Sequence, residues 1–236
     1  MKRIWIAFDA ADTLFETFEP VENVYARCFE KLGYSATPSL WKSAFRKAFV
    51  ITPEPVYVDS ESGEETEKNW WHRVVRACVF ETGISPSTED LNTAFEELFA
   101  HYASGAAWKL FPETEQVLKS LSTARTKMAV TSNFDSRLHQ VLVDLDISKY
   151  FEKILTSADV GARKPSPRIL EKLMREFGIS KTDLCLVGDS AKADGGAAEA
   201  VGIPFFHLIR PNQNLSNFLY WHQTHKSAAC PPAKMK

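Results

Sequence analysis

Short apolar runs alternate with amphipathic segments from residue 112 to residue 209. The runs predict strands because they are strand-length and end in polar residues, whereas the segments between them repeat apolar residues at helical spacing. The predicted strands cover residues 127–133, 151–157, 183–189 and 203–209. The predicted helices cover residues 112–121, 136–147, 166–178 and 191–202. This alternation is typical of a parallel sheet flanked by helices, and the apolar run 3–9 predicts a further buried strand.

The stretch from residue 16 to residue 110 is different, because most of its apolar spacing is helical. Helices are predicted at residues 20–33, 39–49, 69–83 and 87–102. The first should end at Gly33, since glycine takes the left-handed backbone conformation common at helix ends. Prolines, serines and acidic residues in 51–68 instead predict an exposed, mobile loop.

These patterns together predict an α/β fold whose core is a Rossmann-like, doubly wound parallel sheet. We expect residues 1–15 and 111–225 to form this core, with the helical block 16–110 inserted after the first strand. The tail, residues 226–236, is expected to be disordered.

Composition and charge change this picture little. Apolar residues make up 44% of the chain and charged residues 25%, with a formal net charge of −2 and a pI near 6.3. This balance gives no reason to expect nucleic acid or a membrane as a partner. The cysteines are widely spaced, which favours buried free thiols over a disulfide framework or a zinc site; they are Cys28, Cys78, Cys185 and Cys230. We therefore expect a reducing, cytoplasmic location.

Candidate chemistry collects where the predicted strands end. The residues concerned are Asp9, Ser132, Asn133, Lys164, Asp189 and Asp194. Ligands of open α/β sheets bind at the carboxyl ends of strands, so these side chains should meet. Carboxylate oxygens suit Mg²⁺, while a lysine, a hydroxyl and loop amides suit a phosphate. An aspartate nucleophile can then form an aspartyl-phosphate.

At these residues the chain resembles the haloacid dehalogenase-like superfamily. The motifs of that family are DxDxT, a strand-ending serine or threonine, a lysine before proline, and GDxxxxD. They stand here as "DAADT", "VTSN", "RKP" and "GDSAKAD". Each motif alone has little specificity, but four in order on four predicted strand ends are specific. The resemblance covers residues 3–209 and implies that block 16–110 is a helical cap of the C1 type.

The resemblance implies a phosphohydrolase that acts on a small phosphorylated molecule. Asp9 would be the nucleophile, and Lys164 would balance charge between Asp9 and the transferring phosphoryl group. Ser132 would bind that group, together with Lys164 and Asn133. Thr131 is a competing hydroxyl one residue earlier, facing the opposite side of the strand.

The resemblance also implies a Mg²⁺ site. Asp9 and Asp189 would be carboxylate ligands, and the residue at position 11 would contribute its backbone carbonyl, which Ala11 retains. Asp194 would be a further ligand or an anchor behind the ligands, and Thr13 would brace the loop.

Ala11 is the departure from the family pattern. The family places there an aspartate that protonates the leaving group and activates water, and such proton transfer contributes about 10²–10⁴-fold to the rate. Asp12, one residue further around the turn, is a poor substitute because its side chain should point elsewhere. We therefore expect acid–base chemistry to be impaired while Mg²⁺ and phosphate binding persist.

Two alternatives stay open. In the first alternative, the chain is an inactive pseudoenzyme that binds phosphate and Mg²⁺ and acts through a protein partner. Less favoured is phosphonoacetaldehyde-type hydrolysis, which also resembles this chain in having alanine at position 11 but needs a cap lysine. The candidates are Lys31, Lys42 and Lys47.

Overall fold

The computed structural model describes residues 5–58 and 60–224. The strands within these residues are β1 (Trp5–Phe8), β2 (Phe15–Thr17), β3 (Trp108–Leu110), β4 (Lys127–Ser132), β5 (Lys153–Thr156), β6 (Leu184–Gly188) and β7 (Phe205–His207). Five of them form a sheet in the order β5-β4-β1-β6-β7, and every neighbouring pair is parallel. Strands β2 and β3 form a separate antiparallel ribbon.

The helices connect these strands. They are α1 (Val21–Glu30), α2 (Pro38–Ile51), α3 (Gly63–Thr82), α4 (Thr88–His101), α5 (Thr114–Thr123), α6 (Arg137–Asp144), α7 (Ser157–Val160), α8 (Arg168–Phe177), α9 (Gly196–Val201) and α10 (Leu215–Thr224). Helices α1–α4 lie between the two strands of the ribbon along the chain, and the remaining helices alternate with the strands of the large sheet.

The large sheet buries both of its faces. Ile6 and Phe8 of β1 belong to one apolar layer, which includes side chains of α5, α6 and α10. Trp5 and Ala7 alternate with them and belong to the opposite layer, which includes side chains of α8 and α9. This two-sided burial is what a parallel sheet with crossover helices requires. The predicted α/β, Rossmann-like, doubly wound parallel sheet is confirmed.

The helical insertion, α1 to α4, has an apolar core of its own, formed by one face of each helix. Several of its helices begin with a side-chain cap. Thr37, Ser62 and Ser87 each accept a hydrogen bond from a backbone N–H in the first turn. The insertion therefore packs internally, and the ribbon β2–β3 joins it to the sheet.

One sequence expectation about the insertion is wrong. Residues 51–68 are not simply an exposed loop, because α3 begins at Gly63, and Thr66 and Glu67 are buried. The first turn of α3 packs tightly on α7, since a Cβ added at Gly63 would lie 2.1 Å from the carbonyl oxygen of Ala158. The acidic composition of this segment predicted exposure, whereas part of it packs against α7.

The pattern of apolar and polar residues did not predict β2, β3 or α10. The strands of the ribbon are only three residues long, and α10 follows the last predicted strand. Cys28, Cys78 and Cys185 are buried, and they form no disulfide with one another. Cys230 and the tail 226–236 lie outside the described residues. No helix in the described part of the chain is long and apolar enough to cross a membrane.

Candidate active site

The ammonium group of Lys164 lies at the centre of the candidate site. It donates to Asp9 Oδ1 at 2.6 Å, to Asp194 Oδ1 at 2.5 Å and to the backbone carbonyl of Thr131 at 2.7 Å. Because an ammonium group has three hydrogens, these contacts use all of them. The side chain of Lys164 is 1% exposed, so this is a desolvated charge cluster. Parallel topology explains the meeting, because Asp9 follows β1 and Thr131 lies near the end of the neighbouring β4.

Asn133 fixes the backbone of Lys164 from the core side. Its Nδ2 donates to the Lys164 carbonyl at 2.8 Å, and its Oδ1 accepts from the Lys164 N–H at 2.7 Å. The side-chain amide of Asn133 thus orients the backbone of the lysine, and its contact with substrate stays a prediction. Ser132, the last residue of β4, is 4% exposed, whereas Thr131 is fully buried and its hydroxyl has no partner among the described residues.

Asp194 is held as an anchor. It lies on a single π-helical turn, Ala191–Gly195, and is 1% exposed. Its Oδ2 accepts from the Ser190 N–H at 3.1 Å while Oδ1 accepts from Lys164. Gly188 permits this approach, since a Cβ there would lie 2.2 Å from Asp194 Oδ2. The glycine of "GDSAKAD" is therefore required by packing against a carboxylate.

Burial and charge shift the proton affinities of the cluster. Burial raises the pKa of Asp9 to about 7, against the lowering effect of Lys164 and with a further rise from Asp194. Burial also raises the pKa of Asp189 to about 6, helped by repulsion from Asp194. For Lys164, burial alone would lower the pKa, but attraction to Asp9 and Asp194 outweighs it and the net shift is upward. Lys164 therefore stays cationic at neutral pH, whereas the raised pKa of Asp9 favours its protonated form more than in a free aspartate.

The carboxylates of the cluster fit a hard divalent cation. One oxygen each of Asp9, Asp189 and Asp194 lies within 4.8 Å of the others. Mg²⁺ prefers carboxylate and carbonyl oxygens, which is the donor set here. His207 Nε2 and the backbone oxygen of Asp189 lie 2.9 Å apart, so β7 supports the residue at the end of β6. Sequence reasoning missed His207 because no motif includes it.

The loop after Asp9 does not bring a second carboxylate into this cluster. Asp12 is exposed and has a left-handed backbone, with φ of 59°. Among the described residues, the carboxylates close enough to share one ion are Asp9, Asp189 and Asp194, and Asp12 is not one of them. Thr13 is buried, and its hydroxyl has no hydrogen-bond partner among the described residues; its bracing role stays a prediction. Ala11 is half-buried next to this turn.

The helical insertion docks beside Lys164 through a buried ion pair. Glu67 of α3 is fully buried and makes a two-point contact with the guanidinium of Arg163, with Nε to Oε1 at 3.0 Å. Arg163 also stacks on Trp70, with Cζ 3.6 Å from a ring centroid. Helical spacing favours Trp71 as the core tryptophan, but Trp70 is the buried one and Trp71 is partly exposed.

A family model described as haloacid dehalogenase-like hydrolase matches residues 6–208. The chain belongs to the haloacid dehalogenase-like hydrolase family. The four motifs of this family contain residues of the candidate site. These residues are Asp9, Ser132, Lys164, Asp189 and Asp194.

Two family relatives illustrate what this hydrolase is similar to. Haloacid dehalogenase-like hydrolase domain-containing protein 3 of Mus musculus is 29% identical over 201 residues, covering 85% of this chain and 80% of the relative. Stretches such as "NWWHRVV" and "KPSPRIL" indicate that relative, and the comparison confirms the resemblance. Phosphoglycolate phosphatase of Photorhabdus laumondii is 34% identical over 121 residues, covering 50% of this chain and 51% of the relative.

A solved structure shows how widely the fold is shared. The L-2-haloacid dehalogenase of Xanthobacter autotrophicus has a TM-score of 0.63 at 18% identity, covering 97% of this chain and 85% of that chain. A phosphatase and a dehalogenase thus both resemble this hydrolase. The fold alone does not choose between their chemistries, and the choice depends on the site.

Proposed function

We propose that this hydrolase is a Mg²⁺-dependent phosphohydrolase that transfers a phosphoryl group from a small phosphorylated molecule to Asp9. The observation that carries the proposal is the Lys164 ammonium bridging Asp9 and Asp194, with Asp189 beside them. Dehalogenation needs no metal site, whereas three converging carboxylates suit one. The partial similarity to a phosphoglycolate phosphatase points in the same direction.

In the proposed reaction, a carboxylate oxygen of Asp9 attacks phosphorus while the bond from phosphorus to the leaving oxygen breaks. Water then attacks the phosphorus of the aspartyl-phosphate, which releases phosphate and restores the carboxylate. Lys164 favours the ionised form of Asp9 that the first step requires and offsets the charge of the phosphoryl group. Ser132 ends β4 at the same sheet edge, and its hydroxyl would bind a phosphoryl oxygen.

Asp9, Asp189 and the backbone carbonyl of Ala11 would hold the cation, with Asp194 behind them. When bound, Mg²⁺ supplies positive charge that stabilises the phosphoryl oxygens during transfer. Binding also favours the ionised form of Asp9, whose pKa is about 7 without the ion.

Ala11 limits the substrates we propose. Its methyl group cannot donate a proton to a leaving oxygen, and Asp12 is not among the described carboxylates close enough to share one ion with Asp9. Leaving groups that need little protonation, such as those of acyl and aryl phosphates, are therefore favoured. Water attack on the aspartyl-phosphate also lacks a positioned base, so this second step should be slow.

The experiment is a panel of acyl, aryl and alkyl phosphates assayed for phosphate release with and without Mg²⁺. We expect turnover of acyl and aryl phosphates that requires Mg²⁺ and is abolished in Asp9→Asn. Asp12→Asn is the matched control, because asparagine tolerates the left-handed backbone and Asp12 lies outside the cluster; it should retain turnover. Turnover that survives Asp9→Asn would rule out the aspartyl-phosphate.

The second candidate function is a pseudoenzyme that binds phosphate and Mg²⁺ and acts through a protein partner. Ala11 favours it, since binding groups are retained where the acid–base group is missing. It predicts Mg²⁺-dependent binding of phosphate with no turnover of any phosphate in the panel, and turnover that appears only in Ala11→Asp.

Phosphonoacetaldehyde-type hydrolysis is less favoured. The reaction requires one lysine, and each of the three candidates forms an ion pair on the insertion surface. Lys31 pairs with Glu97, Lys42 with Glu22 and Lys47 with Glu81. These lysine side chains are more than half exposed, so the surroundings offer little desolvation to make one a nucleophile.

A further inference from the structure

Arg210 contacts both ends of the ribbon that carries the helical insertion. Its Nε donates to the Asp12 carbonyl at 3.2 Å and its Nη2 to the Thr13 carbonyl at 3.0 Å, just before β2. The same Nη2 pairs with Glu113 Oε1 at 2.9 Å, and Cζ lies 3.3 Å from the ring centroid of Phe111, just after β3. One guanidinium thus joins the two crossings between sheet and insertion.

Apart from Arg210, mainly backbone hydrogen bonds hold this loop. Asp12 has a left-handed backbone, a conformation that is unfavourable for residues other than glycine. The buried Thr13 hydroxyl finds no partner within the described residues. Backbone bonds from the Leu14 N–H to the Ala10 carbonyl at 2.8 Å and from the Asp12 N–H to the Phe15 carbonyl at 2.7 Å close the turn. Arg210 adds side-chain bonds to the outward carbonyls of that turn.

Arg210 is itself fixed in place. Its side chain is 19% exposed and that of Glu113 is 13% exposed, so water competes weakly for the pair. Glu113 Oε1 also accepts from the Leu215 N–H at 3.1 Å, which ties the pair to the start of α10. The clamp is therefore anchored to the sheet side of the molecule and independent of the insertion helices.

We propose that Arg210 is a positioning residue that fixes the loop carrying Asp9 and the Ala11 carbonyl by holding the backbone of Asp12 and Thr13. The inference rests on the proposed function, because it takes residues 9–13 as the catalytic loop. Arg210 touches no reacting atom, and it acts through the backbone of Asp12 and Thr13. A lysine would replace it only in part, since an ammonium group lacks the planar fork with which the guanidinium bonds two carbonyls and Glu113 while stacking on Phe111.

The test compares Arg210→Gln and Arg210→Lys with Arg175→Gln, an exposed arginine on α8 that serves as the matched control. Mg²⁺ affinity is measured by calorimetry on the full chain, at a temperature where circular dichroism shows every variant folded. We expect Arg210→Gln to weaken Mg²⁺ binding about tenfold, as loss of a group behind a metal ligand does. Arg210→Lys should be intermediate, and Arg175→Gln should match the wild type.

Hydrogen exchange of a peptide spanning residues 9–15 provides a readout that does not depend on Mg²⁺. The Thr13 and Leu14 amides should exchange faster in Arg210→Gln than in Arg175→Gln. Exchange and Mg²⁺ affinity equal to those of the control would overturn the proposal. If the wild type binds no Mg²⁺, the proposed function fails, and hydrogen exchange alone then decides the role of Arg210.

Discussion

Replacing Lys164 with methionine tests whether the charge cluster is held together by one ammonium group. Methionine keeps most of the side-chain volume, so the change removes charge and hydrogen bonds with little loss of packing. Asp9 and Asp194 would lose their cationic partner, and the Thr131 carbonyl would lose its donor. Breaking a buried ion pair by removing one partner costs about 3–5 kcal/mol. A chain of this size loses about 2–4 °C in melting temperature per kcal/mol, so we expect a loss of about 6–20 °C.

The assay is thermal unfolding followed by circular dichroism in metal-free buffer at neutral pH. Lys153→Met is the matched control, because Lys153 pairs with Glu176 at 3.0 Å while both side chains are about one-third exposed. Exposed pairs contribute about 0–1 kcal/mol, so this variant should change little. Lowering the pH should reduce the loss in Lys164→Met, since Asp9 and Asp189, with pKa values of about 7 and about 6, take up protons. Equal losses in the two variants would refute the reasoning.

Three further predictions follow from burial and charge. Glu67→Gln should lower the free energy of unfolding, measured in urea, by about 3 kcal/mol, because Arg163 loses its buried carboxylate partner and keeps only the exposed Glu54. No loss relative to the exposed Glu65→Gln would contradict this. Gly188→Ala should cost about 1–3 kcal/mol, measured the same way, since its methyl group would meet the Asp194 carboxylate. Because burial raises the pKa of Asp9 to about 7, Asp9 in the folded metal-free chain keeps a proton that it loses in the unfolded chain. The contribution of Asp9 to stability should therefore fall as pH rises from about 4 to about 7, and the stability of Asp9→Asn relative to the wild type should rise over that range.

The central residues of the site were predictable because topology places them. Asp9, Ser132 and Asp189 directly follow or end apolar runs, and parallel strands bring such positions to one edge. Lys164 was predicted from its motif, and the structure adds that its partners are Asp9 and Asp194. Local sequence signals were sufficient for these positions because strand ends are local features.

The supporting residues were not predictable, because their partners are distant in sequence. Arg210 bonds to a carbonyl 198 positions earlier, and no local pattern reports such a contact. Glu67 was misassigned to a solvated loop because a glutamate is rarely buried, and only its pairing with Arg163 makes that burial favourable. The two bonds from Asn133 to the Lys164 backbone were not predicted either, because they join residues 31 positions apart.

The most direct test of the account is mass spectrometry of the protein quenched during incubation with an acyl phosphate and Mg²⁺. We predict that one phosphoryl group accumulates on Asp9, because Ala11 leaves water attack on the aspartyl-phosphate without a base. Asp9→Asn should take up none, and Ala11→Asp should show less at steady state with faster phosphate release. Absence of the phosphoryl group from the wild type under these conditions, or its presence in Asp9→Asn, would contradict the account.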